Sequence, residues 1–143
     1  MIEVINRQRR RKIATKEWRE FGAKALQAIG TNRNGATIAF VSDHAIKKLN
    51  RGFRGQDDVT DVLSFPAEQS EFEKAEGLSL GDVVISIEQA TRQAREHGLS
   101  LKHEVSQLIL HGLLHLSGYD HETDRGEMNR LELRLRKRLE IDE

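Results

Sequence analysis

Residues 100–121 read SLKHEVSQLILHGLLHLSGYDH, and this stretch predicts the helix around which the other elements pack. Ser100 is a favourable N-cap, and the helix that follows it is apolar on nearly every side. A helix of that kind is buried, so we expect it at the centre of the molecule, with Gly118 ending it. Its apolar residues are Leu101, Val105, Leu108, Ile109, Leu110, Leu113 and Leu114.

Three histidines lie in the second half of this stretch. His111 and His115 are four residues apart on a helix, so both imidazoles project from one face and two nitrogens can reach one ion. Gly118 can adopt the left-handed conformation and turn the chain, which lets His121 approach the same point. Three imidazoles leave a tetrahedral ion one open position, as in catalytic zinc sites. Zinc is the first candidate, although nickel or copper would also accept imidazole.

Gly112 narrows the chemistry of such a site. The histidine spacing is that of HExxHxxGxxH zinc proteases, but Gly112 stands where those enzymes carry a catalytic glutamate. That glutamate takes a proton from zinc-bound water and passes it to the leaving amine, so its absence argues against peptide hydrolysis. Cleavage of a phosphodiester depends less on a dedicated base and more on cations that stabilise the phosphoryl oxygens.

Length and composition favour one globular domain spanning residues 1–143. The chain has no cysteine, so a transition metal would have to be held by His, Asp or Glu. No run approaches the roughly 18 apolar residues of a membrane span, and the N-terminus lacks the apolar core of a secretory signal. These features predict a cytoplasmic protein without a membrane partner.

Positive charge is concentrated in the N-terminal part of the chain. Residues 1–55 carry 13 Lys and Arg against 4 Asp and Glu, although the net charge of the whole chain is zero. The densest run is Arg7, Arg9, Arg10, Arg11 and Lys12. This run is either a solvated loop or a patch that contacts phosphates.

The remaining patterns predict a mixture of strands and helices. Thr15 should N-cap a helix that ends at Gly30, and Asp124 with Glu127 resembles a capping box for the last helix. Further helices are expected from Asp43 and before Gly98, and residues 67–80 should form an acidic loop. Strands are expected at 2–6, 36–42, 60–65 and 81–88. Because strands and helices do not alternate strictly, we predict an α+β fold with a small mixed sheet.

Four stretches together resemble a known family. HGLLHLSGYDH (111–121) is similar to the signature of the YbeY family of bacterial rRNA maturation endoribonucleases. LNRGFRG…TDVLSFP (49–66), LGDVVIS (80–86) and EMNRLE (127–132) match the same family in order. One departure is Val59, where the family usually has proline, and it leaves the loop carrying Arg54 less rigid.

The resemblance implies a single-domain metalloprotein that cuts single-stranded RNA during 16S rRNA 3′-end maturation and ribosome quality control. It implies one zinc ion per chain, bound by His111, His115 and His121. It also places a functionally important arginine at Arg54, which could clamp a substrate phosphate, although from the residues alone it could be an ordinary surface arginine. We therefore predict catalytic roles for Arg54 and His115. RNA, as rRNA or ribosomal particles, is the expected partner, with ribosomal proteins or assembly GTPases as further candidates.

Two other functions stay open. The chain could be a non-catalytic ribosome-assembly factor with a structural zinc, or a metalloprotease with an unrecognised base. Other polar residues receive structural interpretations: Asp120 is either an acceptor for a ligand N–H or a turn residue. Supports near the site are expected at Asp61, Ser64 and Asp82, and surface or capping histidines at His44, His97 and His103.

Overall fold

The computed structural model describes residues 1–31, 33, 35–67, 79–120 and 124–141. In chain order the elements are β1 (Ile2–Asn6), α1 (Thr15–Ile29), β2 (Gly35–Val41), α2 (Asp43–Arg54), β3 (Val62–Pro66), β4 (Ser79–Ser86), α3 (Ile87–His97), α4 (Leu101–Leu116) and α5 (Glu127–Arg138). Within these residues, no helix is long and apolar enough to cross a membrane.

The four strands form one mixed sheet in the order β1-β2-β4-β3. β1, β2 and β4 run parallel, whereas β3 pairs antiparallel with β4. In the centre of the sheet Val4 lies opposite Ile38, Ile38 opposite Val83, and Val83 opposite Ser64. The predicted α+β class with a small mixed sheet is confirmed.

Helices cover both faces of the sheet. The larger core lies between one face and α1, α3, α4 and α5, and the smaller core lies between the other face and α2. α4 is the central element, because it packs against β3, β4 and three other helices. Leu110, Leu113 and Leu114 are fully buried, as the apolar pattern of the helix predicts.

Helix starts agree with the sequence in part. Ser100 caps α4 as predicted, because its side chain accepts a hydrogen bond from the backbone N–H of His103. The predicted N-cap at Thr15 is wrong: the cap is Ala14, and Thr15 is the first residue of α1. The predicted capping box at Asp124 is also displaced, because α5 begins after Gly126.

Both displacements have a local cause. The N–H of Trp18 bonds to the carbonyl of Ala14, so α1 starts one residue earlier than predicted. Gly126 has φ +99°, which lies outside the helical range, so the first helical residue of α5 is Glu127. Asp124 still accepts hydrogen bonds from the N–H groups of Gly126 and Met128, so its carboxylate stabilises the turn that precedes the helix.

β1 lies at the predicted residues 2–6, and β2 starts and ends one residue earlier than predicted, whereas the boundaries of the other two strands shift by one or two residues. β3 begins at Val62 and includes Pro66, and β4 begins at Ser79 and ends at Ser86. Pro66 is tolerated because β3 is an edge strand in the described sheet, where no further strand needs its missing N–H. The predicted acidic loop falls mostly on residues 68–78, which lie outside the described residues.

Candidate metal centre

The last two turns of α4 bring two imidazoles together. The Nε2 atoms of His111 and His115 are 3.1 Å apart, and their ring centroids are 4.6 Å apart. Two nitrogens bound to one tetrahedral zinc ion lie roughly 3.3 Å apart, from Zn–N distances of about 2.0–2.1 Å. The observed spacing therefore fits shared coordination of one ion.

Glu132 of α5 fixes the orientation of His111. Its Oε1 atom lies 3.0 Å from Nδ1 of His111, and the Glu132 side chain is only 17% exposed. A carboxylate can only accept, so Nδ1 of His111 carries the proton and donates it. The Nε2 lone pair of a neutral imidazole is then available to a metal, which is the arrangement of most metal-binding histidines.

The third predicted ligand, His121, lies outside the described residues. Among the residues that the structure does describe, no group of three or more His, Asp or Glu side chains is gathered as a metal site. The described part of the predicted metal site is therefore the His111–His115 pair with Glu132 beside it, and His121 stays a prediction from the sequence. The chemistry of this donor set fits a transition metal that accepts imidazole.

The histidine pair opens into a cleft of about 460 Å³. β3 and the C-terminal end of α2 form the rest of its wall. The lining residues are Phe53, Arg54, Asp61, Val62, Ser64, Phe65, Pro66, His111, His115 and Leu116. The structure thus brings Arg54 and two of the predicted ligands into one cleft.

Arg54 is the last residue of α2, and its side chain is exposed at the cleft. The helix ends there because Gly55 takes a left-handed conformation with φ +68°, which a residue with a Cβ adopts reluctantly. Beside Arg54, Phe53 is 46% exposed and packs edge-on against Phe65, with ring centroids 5.1 Å apart. Val59 is 39% exposed in the loop that follows α2.

The three predicted supports differ in their positions. Asp61 and Ser64 line the cleft, and Ser64 donates a long hydrogen bond of 3.4 Å to the carbonyl of Gly112. Asp82 is fully buried in β4, paired in register with Thr37 and Phe65. Asp61 and Ser64 therefore belong to the wall of the cleft, whereas Asp82 lies inside the sheet.

Gly112 has a packing role that the sequence did not reveal. A Cβ atom at this position would lie 2.7 Å from Cγ1 of Val83 and 3.2 Å from Oγ of Ser64. The missing side chain therefore allows α4 to approach the sheet closely. A glutamate at this position would crowd the side chains of Val83 and Ser64, which is a second argument against a protease site.

The other predicted histidines lie away from the pair. His44 is exposed on α2, and His97 at the end of α3 is paired with Glu104 at 3.3 Å. His103 lies in the first turn of α4, at the end opposite the metal centre. Asp120 is exposed beyond the end of α4.

Sequence reasoning missed two residues of the site. Glu132 was part of a matched stretch, but its contact with His111 joins residues 21 apart and depends on how α5 packs on α4. Phe53 could have been noticed as an aromatic residue next to the predicted phosphate-binding Arg54. Neither position has a local pattern that separates it from an ordinary amphipathic helix.

Known proteins resemble the chain along most of its length. A family model described as Endoribonuclease YbeY matches residues 3–140. The Endoribonuclease YbeY of Geobacter metallireducens is 36% identical over 137 residues, covering 95% of this chain and 91% of that protein. That of Nautilia profundicola is 48% identical over 104 residues, covering 73% and 71%. The solution structure of TM1509 from Thermotoga maritima has a TM-score of 0.64 and 27% identity, covering 97% and 89%. The chain belongs to the YbeY endoribonuclease family.

Proposed function

We propose that this protein is a zinc-dependent endoribonuclease that cuts single-stranded RNA, acting in 16S rRNA 3′-end maturation and ribosome quality control in the cytoplasm. The observation that carries the proposal is the convergence of the His111 and His115 Nε2 atoms in a cleft shared with Arg54. Membership of a family whose members are named endoribonucleases supports RNA as the substrate.

The metal-binding residues are His111, His115 and His121, with one zinc ion per chain. The chemistry that bound zinc supplies is Lewis-acid polarisation of a phosphoryl oxygen and activation of water near neutral pH. Glu132 holds the His111 ring in place by accepting a hydrogen bond from Nδ1 of His111. Because that ring is fixed before substrate binds, little reorganisation is needed during the reaction.

Arg54 binds the scissile phosphate. Its guanidinium is always charged, and two N–H groups can grip two phosphoryl oxygens at once. Charge increases on those oxygens as the phosphodiester breaks, so the contact strengthens in the transition state. The position of Arg54 at the cleft, at a helix end fixed by Gly55, supports this role.

Phe53 supports the preference for single strands. Its half-exposed ring stands at the cleft next to Arg54 and is braced by Phe65. An aromatic ring in this position can stack on a base, and only an unpaired base can be splayed onto it. A base-paired strand would lack this contact.

The test is cleavage of an unstructured RNA by protein whose metal content has been measured. The wild type is compared with His115→Ala, Arg54→Ala and the control His97→Ala, which removes an imidazole outside the cleft. We expect His115→Ala and a chelator to abolish cutting, Arg54→Ala to lower kcat/KM by at least 100-fold, and His97→Ala to behave as wild type. Full cleavage by His115→Ala would overturn the proposal. Ribosome association without cleavage under any metal would favour the assembly factor instead.

A further inference from the structure

The loop between β1 and α1 exposes five cations on an ordered backbone. We call residues 7–12 the basic loop, and all of its charged side chains are exposed. Its remaining residue, Gln8, is only 9% exposed. The cations of the basic loop are Arg7, Arg9, Arg10, Arg11 and Lys12.

Gln8 holds the basic loop in one conformation. Its Oε1 atom accepts hydrogen bonds from the N–H groups of Arg10 and Arg11, at 2.9 and 3.0 Å. Its Nε2 atom donates to the carbonyl of Arg11 at 2.7 Å and to Oδ1 of Asn6 at 2.8 Å. A loop that is ordered in advance loses less entropy on binding than a flexible basic tail does.

Polar contacts connect the basic loop to the cleft across the C-terminal ends of the parallel strands. The N–H of Ser86 donates to the carbonyl of the cleft residue Asp61 at 3.0 Å. The Ser86 hydroxyl donates to Asp43 at 2.6 Å, and the Asp43 N–H donates to Glu88 at 3.0 Å. Glu88 in turn pairs with Arg10 at 3.5 Å. Three strand spacings of about 4.8 Å separate β1 from β3, so the two strands lie roughly 14 Å apart. One RNA strand can span this distance and contact both the basic loop after β1 and the cleft beside β3.

We infer that the basic loop is a second RNA-binding surface, which holds the phosphate backbone of the substrate at a distance from the bond that is cut. The inference rests on the proposed function, since it takes RNA as the substrate. Guanidinium groups suit phosphates because they form paired, charge-assisted hydrogen bonds. The Arg10–Glu88 pair does not prevent this, because the Arg10 side chain is 76% exposed and exposed ion pairs are weak.

The basic loop contacts the backbone and not the bases. It contains no aromatic residue, so base stacking is not available to it. Binding through phosphates is independent of sequence and weakens as salt rises. The basic loop therefore increases affinity for long substrates, while the choice of cleavage site stays with the cleft.

The test compares RNA binding and cleavage by three variants. Arg9→Ala/Arg11→Ala removes two charges, and Gln8→Ala keeps every charge but releases the loop. Arg134→Ala is the control, because it removes one exposed arginine from α5. Each variant is assayed on an unstructured RNA of about 30 nucleotides and on a tetranucleotide. Thermal unfolding of each variant shows that it is folded.

We expect Arg9→Ala/Arg11→Ala to raise KM for the long RNA about tenfold and to leave kcat and tetranucleotide cleavage unchanged. The slope of log Kd against log salt should fall by about 1.4, at roughly 0.7 for each phosphate that the variant no longer neutralises. Gln8→Ala should raise KM for the long RNA in the same direction, and Arg134→Ala should match the wild type.

Unchanged affinity of Arg9→Ala/Arg11→Ala for the long RNA would overturn the inference. The exposed cations would then be better explained by binding to an acidic protein surface. Equal effects on both RNAs would also overturn it, because the effect would then arise in the cleft. Failure of the wild type to cut either RNA would refute the proposed function alone. Binding of the long RNA to the metal-free protein still tests the basic loop in that case.

Discussion

Replacement of Gly112 by alanine adds one methyl group where α4 lies closest to the sheet. The new Cβ would lie 2.7 and 2.9 Å from the two γ-carbons of Val83 and 3.2 Å from Oγ of Ser64. Val83 is fully buried, and its branched side chain has few other rotamers. Overpacking of this kind costs roughly 1–3 kcal/mol, and alanine returns about 1 kcal/mol through its higher helix propensity. We expect Gly112→Ala to lower the free energy of unfolding by about 1 kcal/mol.

Urea unfolding followed by the fluorescence of Trp18, the one tryptophan, measures this change. Gly52→Ala is the matched control, since Gly52 lies inside α2 and its added Cβ would meet nothing within 4 Å. That variant should gain about 0.5–1 kcal/mol. The double variant Val83→Ala/Gly112→Ala identifies the clash, because in the Val83→Ala background the Gly112→Ala change should become neutral or stabilising.

Two results would refute the reasoning. If Gly112→Ala is as stable as the wild type while Gly52→Ala gains stability, α4 does not pack against β4 as closely as the distances indicate. If Gly112→Ala costs the same in the wild-type and Val83→Ala backgrounds, the strain does not come from Val83.

Three further predictions concern the site and α4. Glu132→Gln should weaken zinc binding by about 10–100-fold, measured by competition with a chromogenic chelator, because a neutral amide oxygen replaces the charged acceptor for Nδ1 of His111 and makes that imidazole a weaker ligand; unchanged affinity would contradict this role. Phe53→Ala should raise KM for single-stranded RNA about tenfold and Phe53→Tyr should not, in steady-state cleavage assays; equal effects of the two would exclude stacking. Ser100→Ala should lower the free energy of unfolding in urea by about 1 kcal/mol, because the His103 N–H loses the hydroxyl that caps it. An unchanged urea midpoint would show that this cap does not contribute to stability.

Features that depend on local sequence could be predicted. α4 could be placed because a capping serine, an apolar run and Gly118, which takes a positive φ just past the Ser117 C-cap, lie close together along the chain. The approach of His111 to His115 follows from helical spacing alone. The mixed sheet could be predicted as a class, because strands and helices do not alternate strictly.

Features that depend on packing between distant elements could not be predicted. The strand order places β4 between β2 and β3, which no local pattern indicates. The contact of Glu132 with His111 exists only because α5 lies against α4. The close packing of Gly112 against Val83 also joins residues far apart in the chain. From the sequence, Gly112 therefore indicated only that peptide hydrolysis is disfavoured. The capping box at Asp124 was misplaced because the conformation of Gly126 is set by the turn before α5.

The position of the histidine pair at the C-terminal end of α4 has an electrostatic consequence. The peptide dipoles of a helix add up to about half a negative charge at that end, where His115 lies in the last turn. A cation there is stabilised by roughly 0.3–1 kcal/mol per unit charge, before any ligand bond is counted. The backbone of α4 would therefore attract the same divalent ion that we propose His111 and His115 bind.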